Sequence, residues 1–122
     1  MFTIDEVHDI LEEISAEVPD EFYRELNGGI SLLPEAKQHP EASAGDMLVL
    51  GEYRHDQMGR YIVIYYGSIC SSFPGISREA LSARLKELIF HEFTHHLESL
   101  AGERALEIKD KMKIEKYKNK RE

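Results

Sequence analysis

One stretch constrains the fold more than any other: LIFHEFTHHLESLAGERALEI, Leu88 to Ile108. It places ionisable groups on the core-facing side of a helix. With His91 set at zero and about 100° added per residue, Leu81, Leu85, Leu88 and Ile89 fall between about 60° and about 160°. That arc is the apolar stripe that faces a core. Glu92 lies at about 100°, inside the stripe, and His91 and His95 lie at its edge, at 0° and about 40°. Burial of such groups without partners is strongly unfavourable, so the helix calls for something that compensates them, and a divalent cation does so well.

The five residues His91-Glu92-Phe93-Thr94-His95 have the form H-E-x-x-H. Histidines four apart share one helix face with Cβ atoms roughly 5–6 Å apart, so both rings can reach one zinc ion at about 2.0–2.1 Å. Glu92 is turned aside by one residue. It is poorly aimed as a ligand but well placed to take a proton from zinc-activated water as general base. A zinc site of this kind needs a third protein ligand and an open fourth position. Glu103 and Glu98 are the nearest candidates. Glu98 shares the histidine face but continues the same line along the helix. Glu103 follows Gly102, which can turn the chain back towards the metal, and is preferred, with Glu98 as the alternative. His96, at about 140°, points towards the core. The competing reading is a structural helix whose histidines bond backbone groups.

The rest of the chain supplies a small frame. At 122 residues one domain is expected, spanning residues 1–108, with a basic helical tail over 109–122. From Lys109 onward seven basic residues face three acids, a net +4, so residues 1–108 carry −12 and the whole chain −8. So acidic a body disfavours nucleic acid as a partner. No apolar run is long enough to span a membrane. The N-terminus, acidic from Asp5, does not read as a signal peptide. The single cysteine, Cys70, excludes an internal disulfide and makes a reducing cytoplasm the expected location. A monomer is the default.

Thr3 and Glu6 form a capping box for a first helix, which ends at Pro19. PDEFYREL restarts a helix, and Asn27-Gly28-Gly29 stops it. Ile30–Leu33 reads as a short strand and 34–46 as a loop. Met47–Tyr53 and Arg60–Tyr66 form an antiparallel hairpin, and 67–75 is a second loop. Ser77 caps a long helix ending at Gly102, and a last helix starts at Glu103. The expected class is α+β, a roughly three-stranded sheet packed against helices.

Three segments carry a family resemblance: LGEY (Leu50–Tyr53), YIVIYYGSI (Tyr61–Ile69) and HEFTHHLESLAGER (His91–Arg104). Together they resemble the minimal zincin-like metallopeptidases, small bacterial proteins built around an HExxH helix. The resemblance implies a compact zincin-like α+β fold, zinc held by His91, His95 and a following acid, and peptide-bond hydrolysis with Glu92 as base. Many members have glycine three residues after the second histidine. Here that position is Glu98 and the glycine comes later, as Gly102, so Glu103 matches only approximately. Zincins hold an extended peptide against an edge strand, and Tyr61 to Tyr66 is the candidate for it. Tyr61, Tyr65, Tyr66 or His55 could polarise a carbonyl oxygen. The alternative function is a non-catalytic zinc-binding or protein-interaction domain on the same fold.

Overall fold

The computed structural model describes residues 1–40 and 47–121, and no side chain beyond Lys111. Residues 41–46 of the expected loop and Glu122 of the tail lie outside the described residues. Helix α1 (Ile4–Glu17) begins as the sequence requires: Thr3 Oγ1 accepts from the Glu6 backbone N–H, and the Glu6 carboxylate accepts from the Thr3 N–H. Val7, Ile10, Leu11 and Ile14 form its buried stripe. Val18 turns extended ahead of Pro19.

The expected second helix is a single 3-10 turn, Asp20–Tyr23. Two contacts explain the correction. Phe22 and Tyr23 insert their rings against Phe93, with centroids 6.1 and 5.1 Å apart. Immediately beyond, Arg24 is extended and Glu25 takes a φ of 63°, which no helix continues through.

The strands are β1 (Ile30–Leu33), β2 (Lys37–Gln38), β3 (Leu48–Val49), β4 (Gly51–Asp56) and β5 (Gly59–Tyr65). The expected hairpin is β4–β5, antiparallel, with Asp56 opposite Gly59 and Tyr53 opposite Ile62. β1 pairs in parallel with the other side of β5, Ile30 opposite Ile62. The order is therefore β1-β5-β4. The segment Tyr61 to Tyr66 is thus not an edge: β5 is the central strand, Tyr66 already belongs to the next helix, and the edge beside the histidine helix is β4. Strands β2 and β3 make a separate antiparallel pair in what was expected as loop and strand start.

Helix α2 (Tyr66–Ser72) occupies the expected second loop. Its Gly67 admits a close crossing, since a Cβ there would stand 2.6 Å from the Ala36 backbone nitrogen. The last helix, α3 (Arg78–Arg121), starts where Ser77 Oγ accepts from the Ala80 N–H. It does not stop at Gly102. Helix α1, α3 and one face of the sheet enclose the core, in which Ile62, Ile64, Ile69, Leu81 and Ile89 are fully buried. The class is α+β, with a small three-stranded sheet packed against helices. Among the described residues, no helix is long and apolar enough to cross a membrane.

Candidate metal centre

The apolar stripe of α3 seats the site. Leu81, Leu85, Ile89 and Phe93 are buried, which fixes the helix's rotation against the sheet. That rotation leaves His91 and His95 exposed at the stripe's edge and Glu92 only 4% exposed. His91 Nε2 and His95 Nε2 converge to 3.1 Å, with the rings at 87° to one another. Two nitrogens bound tetrahedrally to one zinc at about 2.0–2.1 Å would stand about 3.4 Å apart. The donor set therefore fits the ion, and ligand atoms of His91, Glu92 and His95 all lie within 4.8 Å of one another.

Strand β4 forms the facing wall. Gly51, Glu52, Tyr53, His55, His91, Glu92, His95, Glu98 and Ser99 border one open cavity of about 700 Å³. The Tyr53 backbone N–H donates to the Glu92 carboxyl, so the edge strand itself aims Glu92. Burial pushes this carboxyl above its usual range. Nearby Glu52 pushes the same way, while His91, His95 and the Tyr53 N–H pull it back.

Two networks hold the walls. In the first, His96, fully buried, bonds the Arg24 carbonyl through Nε2 at 2.8 Å. A carbonyl only accepts, so Nε2 carries the proton. In the neutral ring Nδ1 is then the acceptor for the Tyr53 hydroxyl, also at 2.8 Å. The buried Arg60 guanidinium donates to that same hydroxyl at 3.1 Å, to Ser99 Oγ and to the Glu103 carboxylate. In the second network, Glu52 accepts from Lys37, Arg54 and the Tyr65 hydroxyl. Burial alone would raise the Glu52 carboxyl. Those three donors outweigh it and hold the group down at about 2.

Several expectations change here. Glu103 does not turn back towards the histidine pair: α3 runs on through Gly102, and Glu103 sits on Arg60. Glu98 borders the cavity, but its carboxylate lies 4.0 Å from His95 Nδ1, the nitrogen that faces away from His91. Of the four candidates for polarising a carbonyl, Tyr61 donates to Asp56, Tyr65 to Glu52 and Tyr66 to the Phe2 carbonyl. Only His55 remains, exposed on the cavity wall. The Arg60 and Glu52 networks were missed. An arginine and a glutamate within strands of alternating apolar residues were the available signal.

No protein-family model matches the chain, and no curated protein matches it. Among solved structures, a conserved hypothetical protein of T. thermophilus is similar at 34% identity and a TM-score of 0.69, over 82% of this chain and 98% of that one.

Proposed function

The chain belongs to the family of that T. thermophilus protein, and from this premise we propose that it is a zinc-dependent metallopeptidase of the minimal zincin-like type. The shared family carries the fold and no activity. The reading rests on one observation: two imidazole nitrogens converge at 3.1 Å beside a buried carboxyl, all facing an open cavity. A purely structural zinc site needs no such carboxyl.

His91 and His95 would hold the zinc. Bound zinc supplies Lewis acidity, which polarises a carbonyl and brings the pKa of coordinated water towards about 7. Glu92 takes a proton at its carboxylate and returns it to the leaving amine. Its setting suits that task, because burial against the sheet holds the carboxyl beside the histidine pair at the cavity wall. The Tyr53 N–H keeps it oriented. The substrate is an extended peptide. It pairs with the open edge of β4, not with β5, using main-chain groups on either side of Tyr53.

Glu92→Gln tests the role of the base. The variant should bind one zinc as the wild type does and lose peptide hydrolysis by at least about 100-fold. Screening a peptide library by mass spectrometry supplies the substrate. Equal cleavage by wild type and variant would remove Glu92 from the mechanism. Absence of zinc from protein purified without an affinity tag, with no change in stability on adding it, would remove the metal.

A further inference from the structure

The Arg60 network backs the cavity, and of its two hydroxyls one has a proton to give. Arg60 is 5% exposed and stands on the central strand, opposite His55 of β4. One guanidinium nitrogen donates to both hydroxyls, that of Tyr53 on β4 and that of Ser99 on α3. The other nitrogen donates to the Glu103 carboxylate. Tyr53 gives its own proton to His96 Nδ1, because His96 Nε2 already carries the proton that meets the Arg24 carbonyl. The Tyr53 hydroxyl is therefore committed. Ser99 differs: its oxygen accepts from Arg60, and among the described residues its proton has no acceptor.

A hydroxyl on a helix is commonly satisfied by the carbonyl four residues back. Thr94 donates in this way to Phe90 at 3.0 Å, and Ser15 to Leu11 at 2.7 Å. Ser99 makes no such bond to His95. Its oxygen turns to the buried cation, and the residue borders the same open cavity as His91 and His95. A hydroxyl that accepts from a cation donates more strongly, since successive hydrogen bonds polarise one another.

The position of Ser99 along the cleft follows from the helix. It lies one turn beyond His95 on the continuous α3, about 6 Å along the axis. Strand β4 advances alongside that helix. A Cβ on Gly51 would lie 3.4 Å from Leu88, and two residues later the Tyr53 ring lies 5.3 Å from that of His96. A peptide paired with β4 therefore runs along α3. In an extended peptide, carbonyls on one side recur every two residues, at about 6.6 Å. With one carbonyl at the histidine pair, the next on that side comes level with Ser99.

We propose that Ser99, polarised by Arg60, is a substrate-binding donor whose hydroxyl holds the main-chain carbonyl two residues from the bond to be cut. The inference rests on the zinc-peptidase reading above.

Hydroxamates test it by binding alone, because the hydroxamate group grips zinc and nothing is cleaved. Acetohydroxamate is the parent probe. Two series extend it by two residues, one in each chain direction, with a carbonyl or a weakly accepting thiocarbonyl at the far position. Affinities are measured by calorimetry on the zinc-loaded full chain. In one series the wild type should prefer carbonyl to thiocarbonyl by roughly 3- to 10-fold. Ser99→Ala should lose that preference and Ser99→Thr should keep it, while acetohydroxamate binds all three proteins equally. A merely structural role would weaken acetohydroxamate as well. If acetohydroxamate binds but the wild type shows no preference in either series, or Ser99→Ala retains it, the assignment of Ser99 is overturned and the zinc reading stands. A wild type that binds no hydroxamate overturns both.

Discussion

At the residue scale, charge is placed where a partner meets it. Glu52 is the clearest case, a quarter-exposed carboxylate gripped by two cations and a phenol. Its folded pKa, about 2, lies below its ordinary value of 4.5. A depressed carboxyl stabilises the fold above its unfolded pKa, and that stability is lost as pH falls through the folded value. The expected result is that wild type exceeds Glu52→Gln by roughly 1–3 kcal/mol in urea unfolding near neutral pH. The gap should narrow steadily from about pH 4.5 towards pH 2. A gap independent of pH would assign the difference to packing. Because Glu52 also borders the cavity beside the histidine pair, the same network keeps a negative charge near Glu92 fixed in place.

At the element scale, the long α3 decides where every candidate ligand falls. Gly102 interrupts a run of good helix formers: Ala101, Glu103, Arg104, Ala105, Leu106 and Glu107. One glycine costs about 1 kcal/mol against alanine, too little to end a helix whose neighbours all favour it. Gly102 has no positive φ, unlike Gly29, Gly59 and Gly75, and a Cβ there would meet nothing within 4 Å. Gly102→Ala should therefore increase helicity in far-ultraviolet circular dichroism and strengthen the helix locally by about 0.5–1 kcal/mol. A loss of helicity would mean that position 102 needs a left-handed conformation, as a helix-ending glycine does. Continuity of α3 is also what separates Glu103 from His95 and leaves it to pair with Arg60.

At the scale of the whole molecule, metal and fold should be coupled. The candidate site lies between α3 and β4, so zinc that bound the folded chain and not the unfolded one would stabilise the fold. At a free zinc concentration of 100 times Kd the gain is about 2.7 kcal/mol. Differential scanning calorimetry should show Tm rising with zinc and falling with a chelator in the wild type. His91→Ala should be insensitive to both. Equal responses in the two proteins would place the effect at another site, for which the exposed His8-Asp9-Glu12 group on α1 is the control to mutate.

The local features were legible because local spacing dictates them. The capping box at Thr3 and Glu6, the apolar stripe of α3, the buried position of Glu92 and the β4–β5 hairpin all arise among residues close in sequence. The HExxH pair was legible for the same reason, since a 3.6-residue period fixes which side chains share a face. What escaped was set by partners distant in sequence. α2 has poor intrinsic helix formers, yet Ser68 and Ile69 are fully buried. β5 became central only because β1, some 30 residues earlier, pairs with its far side. That pairing moved the open edge from β5 to β4 and brought His55 to the cavity. The sequence by itself determined the helix, its two converging histidines and its buried glutamate. Only the tertiary structure decided which strand faces them and which acids are spoken for, because strand order and ion pairing depend on what packing brings together and not on spacing along the chain.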